Sequence, residues 1–175
     1  MKVSLRKGEW IRVSNIILKK LQEKDSFFSK GIFDIAVKGI VDRTQRGMDI
    51  AGVAFKPYSE KYATKKREMG MSSTVNLVLS GKMISQYGFE YEVLGGDGKI
   101  YIRIFVPNKH HSGYNKQTVS HWTLASVHNF GMLSGRPPHF KMPKREFFGL
   151  DKKIIAELKD FSDAQWRELF RGFNR

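Results

Sequence analysis

Apolar residues recur every three or four positions in two stretches of the N-terminal third of the chain. The first stretch contains Trp10, Val13, Ile17 and Leu21. The second contains Phe28, Ile32, Ile35, Ala36 and Gly39. Because a helix turns once every ~3.6 residues, this spacing predicts amphipathic helices over residues 8–23 and 27–46. Gly47 follows the second helix, at the position where glycine commonly ends a helix in the left-handed conformation.

Alternation of apolar and polar residues marks the middle of the chain. Every second position is apolar or aromatic in two runs, Tyr87, Phe89, Tyr91 and Val93, then Ile100, Ile102, Ile104 and Val106. A period of two is typical of a half-buried strand. Between the runs, Gly95-Gly96-Asp97-Gly98 supplies residues that tolerate the positive φ of a tight turn. The pattern therefore predicts a hairpin over residues 86–106.

Shorter elements surround this hairpin. Asp49 lies among glycines, which predicts a turn in which its side chain accepts hydrogen bonds from nearby backbone N–H groups. The basic run at 59–67 predicts a short helix. Residues 107–121 are rich in turn-forming residues and predict an exposed loop. A short helix is expected over residues 122–130, ended by Gly131.

The C-terminal part predicts one strand and two helices. Residues 139–147 are interpreted as a strand, and the four-residue spacing of Leu150, Ile154 and Leu158 predicts a helix over residues 151–159. Ser162 is followed three residues later by Gln165, the spacing of a capping box, which predicts a second, terminal helix. The whole pattern favours an α+β fold: a small antiparallel sheet packed with two N-terminal helices and C-terminal helices.

Composition restricts the class of protein. The chain has 175 residues, which suits a single domain over residues 1–175. Its net charge of +14 favours an anionic neighbour such as nucleic acid or an acidic protein surface, although a solvated basic surface is the alternative. Cysteine is absent, which excludes disulfides and cysteine-ligated metal. The N-terminus resembles no secretory signal, and no apolar run approaches the ~20 residues of a membrane span.

No catalytic, cofactor or metal site is predicted, and the chain is not expected to be an enzyme. The five histidines do not follow the spacing of known metal sites. The sequence offers no nucleophile with a neighbouring base and no catalytic pair of carboxylates. His128 is interpreted as a half-buried ring that hydrogen-bonds nearby backbone, with proton donation at an interface as the less favoured alternative.

One basic segment contains aromatic residues and is the candidate surface for DNA or a partner protein. Its residues are Lys56, Tyr58, Lys61, Tyr62, Lys65, Lys66 and Arg67. Cations suit phosphates and aromatic rings suit exposed bases. The alternative is a solvated arm whose tyrosines pack locally, since the segment matches no known nucleic-acid-reading motif.

Several short motifs follow one another in a recognisable order. Arg43, Gly47, Asp49 and Gly52 precede Phe55-Lys56-Pro57-Tyr58-Ser59, and Leu77-Val78-Leu79-Ser80-Gly81-Lys82-Met83 comes next. Two more lie in the C-terminal third, Leu124-Ala125-Ser126-Val127-His128-Asn129-Phe130-Gly131 and Arg145-Glu146-Phe147-Phe148-Gly149-Leu150. In this order they resemble the virion morphogenesis family of tailed bacteriophages. Departures from the family pattern include Met83, Leu124 and Asn129.

The resemblance implies a structural virion protein at the neck or in tail completion. Such a protein forms a homo-oligomeric ring and binds connector or stopper proteins and tail-terminator or tube proteins, with possible contact to packaged DNA and none to membrane. It would be assembled in the host cytoplasm and reside in the virion. His128, Gly131, Arg145, Phe147 and Phe148 would then be structural motif residues. The alternative function is a basic nucleic-acid-binding module.

Overall fold

A computed structural model describes residues 19, 23, 26–77, 84–96, 99–112, 118–131 and 142–171. Contacts between residues that are close in space divide the chain into two compact units. Unit 1 comprises residues 1–36, 91–104 and 152–175, and unit 2 comprises residues 37–90 and 105–151. The single domain expected over residues 1–175 stays a prediction.

Helix α1 spans Phe27–Gln45 and confirms the helix predicted over residues 27–46. At its start the Ser26 hydroxyl accepts a hydrogen bond from the Ser29 N–H at 3.1 Å. At its end Gly47 has φ +77°, and its N–H donates to the Thr44 carbonyl at 2.9 Å. This left-handed glycine ends the helix as the sequence predicts. The helix predicted over residues 8–23 lies outside the described residues, apart from residues 19 and 23.

Unit 1 contains the C-terminal helix α4, Lys152–Arg171, which is continuous. The prediction of two helices separated at Ser162 is therefore wrong, and Ser162 lies inside α4. A Cβ on Gly31 of α1 would lie 2.2 Å from the Phe161 ring, so only glycine allows this close approach. Within the described ranges, no helix is both long enough and apolar enough to cross a membrane.

The predicted central hairpin is confirmed as strands β1, Glu90–Gly96, and β2, Lys99–Phe105. The connecting residues 97 and 98 lie outside the described residues. On β1 the ring of Tyr91 stacks on Phe33 of α1, with ring centroids 4.6 Å apart. Residues Gln86–Gly88 form a 3₁₀ turn, and Tyr87 is 91% exposed, so its prediction as a half-buried strand residue is wrong. Helices with a small antiparallel sheet confirm the α+β class.

A second hairpin lies where the sequence predicts an exposed loop over residues 107–121. Strands β3, His110–Ser112, and β4, Thr118–Ser120, pair antiparallel, with His111 opposite Val119. Helix α3, His121–Phe130, follows β4 directly and confirms the helix predicted there. Its N-terminus is capped by the Ser120 hydroxyl, which accepts from the Thr123 N–H at 3.1 Å. Gly131, with φ +69°, ends α3 as predicted.

No strand is present in the described part of the range 139–147, residues 142–147, so the strand predicted there is not formed; residues 139–141 lie outside the description. This segment is instead irregular, with Arg145 and Phe147 buried in unit 2 and Lys144 exposed. Its Phe147 side chain is fully buried. Among the described residues of unit 2, the buried apolar side chains are Val37, Ile40, Val41, Phe55, Val75, Leu77, Ile84, Phe89, Val106, Ala125 and Phe147.

We expect Gly131→Ala to destabilise the protein more than Gly70→Ala. Both glycines follow a helix with positive φ, which costs an L-residue ~1–2 kcal/mol. Only at Gly131 would the added Cβ meet backbone, 2.7 Å from the Lys144 nitrogen, whereas nothing lies within 4 Å at Gly70. Urea denaturation should show a loss of about 1 kcal/mol for Gly70→Ala and a clearly larger loss for Gly131→Ala. Equal losses would contradict the close approach of Lys144.

Candidate functional site

The two C-terminal motifs of the sequence contact each other in unit 2. The Arg145 N–H donates to the carbonyl of His128 in α3 at 2.8 Å. The Phe148 N–H donates to the side-chain Oδ1 of Asn129 at 3.0 Å. Since Gly131 also lies against the Lys144 backbone, the end of α3 and the segment 144–148 form one structural element. The sequence placed these residues in separate motifs but did not predict their contact.

Arg145 joins this element to the segment ahead of helix α2, which spans Glu60–Glu68. Its side chain is 3% exposed. Its Nε and Nη2 donate to the Lys56 carbonyl, both at 3.2 Å, and Nη2 also donates to the Pro57 carbonyl at 3.3 Å. The remaining nitrogen, Nη1, is buried without a hydrogen-bond partner. Arg145 therefore holds irregular backbone together through contacts to two carbonyls.

Arg43 makes a similar set of contacts from helix α1. Its Nη2 donates to the Phe147 carbonyl at 2.6 Å and to the Gly149 carbonyl at 3.0 Å. Its Nη1 forms an ion pair with Asp151 at 2.8 Å. Because Arg43 is buried, these contacts fix the path of the chain from Phe147 to Asp151. The sequence motif contains Arg43 but predicts no role for it.

The Asp49 turn is confirmed. The Oδ1 atom of Asp49 accepts hydrogen bonds from the N–H groups of Ala51 at 2.9 Å and Val53 at 2.8 Å. Next to it, the Ile50 N–H donates to the Glu146 carbonyl at 2.9 Å. The loop after α1 is thus attached to the same segment that Arg43 and Arg145 hold.

Tyr58 lies at the centre of the basic-aromatic segment. Its ring centroid is 5.0 Å from Lys66 Nζ and 5.1 Å from Arg145 Cζ, distances at which a cation is attracted to an aromatic face. The Tyr62 ring packs edge-on against it at 4.9 Å. The Tyr58 hydroxyl accepts from the N–H of Leu77 at 3.2 Å, and burial raises the pKa of Tyr58.

Leu77 has φ +55°, an uncommon conformation for a residue other than glycine. Its hydrogen bond to Tyr58 helps to hold this strained backbone in place. The two tyrosines therefore pack against each other and are half-buried, so neither ring is a fully exposed stacking platform. This arrangement matches the local packing that the sequence analysis kept as an alternative.

Lys66 corrects the predicted interface, because its side chain is only 1% exposed. Its ammonium donates to Asn76 Oδ1 at 3.1 Å, and burial lowers the pKa of Lys66. A buried ammonium cannot reach a DNA phosphate in this conformation. The sequence contains a signal for this burial. Lys66 follows Tyr62 by four residues, so both lie on one face of the helix.

The exposed cations of the segment are fewer than the sequence suggests. Lys56, Lys61 and Arg67 are exposed, and Lys65 is half-buried. We call these four residues the basic surface. Arg67 also donates to the Thr64 hydroxyl at 3.0 Å, which restricts its side chain. The predicted site thus divides into this basic surface and an internal cluster formed by Tyr58, Tyr62 and Lys66.

His128 is half-buried, as predicted, but its Nδ1 atom is buried without a hydrogen-bond partner. The predicted bond from the ring to backbone is therefore absent at this nitrogen, and the His128 carbonyl makes the backbone contact instead, by accepting from Arg145. Burial, and then the nearby charge of Arg145, lowers the pKa of His128 to about 4.

His128 should make the stability of the protein depend on pH between about 4 and 6.5. As pH falls through this window, the unfolded state binds a proton at His128 before the folded state does, so the free energy of unfolding decreases. The loss should reach up to about 3 kcal/mol, and the His128→Gln variant should lack it. Urea denaturation of both proteins at several pH values isolates the effect as a difference. Parallel profiles would contradict the low pKa.

Among the described residues, no three His, Asp or Glu side chains form a group that could hold a metal ion. Comparisons with protein-family models, with curated proteins and with solved structures found no match to the chain. The resemblance to the virion morphogenesis family therefore rests on the sequence motifs.

Proposed function

We propose that this chain is a structural protein of the head–tail interface of a tailed bacteriophage, acting in the neck or in tail completion. In this proposal it assembles into a ring in the virion after synthesis in the host cytoplasm. The ring binds connector or stopper proteins on one side and tail-terminator or tube proteins on the other. A ring joins its neighbours through many modest contacts around one axis, so the joint is strong even when each contact is weak.

The observation that carries this proposal is the convergence of the family-like motifs in unit 2. Arg145 binds the carbonyls of His128 and Lys56, and Arg43 binds those of Phe147 and Gly149. The contact of Arg145 with Lys56 joins residues 89 positions apart, and those of Arg43 with Phe147 and Gly149 join residues 104 and 106 positions apart. The motif residues act on backbone groups, which is a structural role of the kind that the resemblance implies.

The basic surface supplies a further argument. Lys61 and Arg67 are exposed on α2, and the chain as a whole carries a net charge of +14. Identical subunits with this charge repel one another unless DNA or acidic neighbours offset it. A ring around a DNA channel or against acidic neck proteins provides that compensation.

Reversing the charge of the basic surface should impair the joining of heads to tails. We expect Lys61→Glu combined with Arg67→Glu to lower the yield of infectious particles about tenfold or more, since the charge would then oppose binding to DNA or acidic partners. Because both side chains are exposed, the variant should keep the wild-type melting temperature. The measurement is complementation of a phage that lacks this gene, with heads and tails counted by electron microscopy.

A matched control is the pair Lys30→Glu and Lys152→Glu, which makes the same change of charge at exposed positions of unit 1. The control should complement normally. Equal loss in both variants would mean that total charge matters and the basic surface does not. A particle reconstruction that places the protein away from the neck and tail axis would overturn the proposed function itself.

A nucleic-acid-binding module is the second candidate, favoured by the exposed cations Lys56, Lys61 and Arg67 of the basic surface. Binding of this kind depends strongly on salt, because each phosphate contact releases bound counterions. If Lys61 and Arg67 both contact phosphates, the plot of log affinity against log salt for duplex DNA should become shallower by about 2 in the double variant. Fluorescence anisotropy with a labelled duplex measures this slope. An unchanged slope would exclude these residues as phosphate contacts.

A further inference from the structure

Helix α3 presents two large aromatic side chains to solvent. Trp122 is 57% exposed and Phe130 is 66% exposed. At about 100° per residue, Trp122, Ser126 and Phe130 lie within one arc of the helix, while Ala125 and Asn129 lie on the buried side. We call the side formed by the exposed residues Trp122, Thr123 and Phe130 and the half-buried Ser126 the aromatic face of α3. Trp122 and Phe130 are eight residues apart, which is ~12 Å along the axis.

This face is uncharged. Helix α3 contains no Lys, Arg, Asp or Glu, whereas α1, α2 and α4 each contain several. The chain is 27% charged, so a ten-residue helix without charge stands out as a distinct surface. Large exposed aromatics without charge are the composition of the centre of a protein–protein interface.

Among the described residues, one exposed lysine near each end of α3 forms an ion pair with a neighbouring carboxylate. At the N-terminal end, the Lys109 carbonyl accepts from the His121 N–H at 3.0 Å, and the Lys109 ammonium pairs with Glu90. At the C-terminal end, Lys144 lies against Gly131 and pairs with Glu146 at 2.9 Å. The aromatic face therefore lies between two ion pairs rather than between two free positive charges.

Charge decides which partner suits this face. DNA or an acidic protein would gain more from the basic surface than from an uncharged helix. A second copy of the chain instead needs an uncharged contact surface, because the net charge of +14 on each copy makes most contacts between copies repulsive. We propose that the aromatic face of α3 is the surface through which one copy of this chain binds another. The inference rests on the ring assembly of the proposed function and names the contact that would build it.

The proposal fixes how association depends on salt. Salt screens the repulsion between copies, since the Debye length falls from ~30 Å at 0.01 M to ~3 Å at 1 M. Apolar contact between aromatic side chains does not need charge, and it remains as the repulsion decreases. Self-association should therefore become stronger as salt increases, opposite to the dependence of binding to nucleic acid.

The test is sedimentation velocity of the nuclease-treated full chain over a range of protein concentrations. It is run at about 0.05 M and about 0.5 M NaCl, which differ tenfold in ionic strength. The wild-type protein should self-associate, more strongly at the higher salt. Trp122→Ser and, separately, Phe130→Ser should each raise the dissociation constant about tenfold or more, because truncated interface aromatics commonly have such effects. The matched control is Tyr87→Ser, which removes an aromatic ring that is 91% exposed and lies off α3 in the same unit.

Circular dichroism and melting temperatures establish that the variants fold, as expected for exposed positions. Weaker association in both α3 variants with an unchanged Tyr87→Ser control supports the inference. A wild-type monomer at all concentrations, association that decreases with salt, or equal effects of all three variants overturns it. None of these outcomes decides whether the protein lies in the phage neck, which the particle reconstruction tests separately.

Discussion

Two buried guanidinium groups bind backbone carbonyls in unit 2, and the arrangement of its irregular segments depends on them. The carbonyls of Lys56, Phe147 and Gly149 belong to residues outside helices and strands, so no ladder of backbone hydrogen bonds satisfies them. A buried polar group left without a partner costs about 1–3 kcal/mol. Arginine suits this task, because its planar group carries five N–H donors that can reach several carbonyls at once. In the described part of this unit, β3 and β4 form a short hairpin and Met48 and Ala54 form an isolated bridge. Arg43 and Arg145 thus supply hydrogen bonds to carbonyls that no sheet satisfies.

The two arginines differ in how their charge is balanced. Arg43 has Asp151 as an ion-pair partner, whereas the described ion pairs give Arg145 no carboxylate. Arg145 instead contacts the face of Tyr58, and its charge helps to keep His128 neutral by lowering the pKa of that ring. The buried ammonium of Lys66 lies against the same tyrosine. Two cations, Arg145 and Lys66, therefore pack against Tyr58 inside unit 2. The residues of the basic surface are the ones left to contact a partner.

Sequence patterns predicted the elements whose periodicity extends over several turns or residues. Helix α1 and the central hairpin were found because their apolar spacing repeats at least four times. The hairpin of β3 and β4 was missed because strands of three residues are too short to show a period of two. Ser162 was misinterpreted because the spacing of a capping box also occurs inside continuous helices. The burial of Lys66 was missed because a charged residue was assigned to the surface without regard to the helical face that it shares with Tyr62.

In the candidate site, too, local sequence patterns predict segments but not the contacts between segments that are distant in sequence. Spacing along the chain identified the basic-aromatic segment and both C-terminal motifs, but no local pattern specifies that Arg145 binds carbonyls almost ninety residues away. This long-range contact links the two surfaces on which the proposals rest. Through its N–H, Arg145 holds the end of α3, and through its guanidinium it holds the backbone just ahead of α2. Arg145 thus supports both the aromatic face of α3 and the basic surface. The aromatic face suits an apolar surface of a second copy, whereas the basic surface suits an anionic partner.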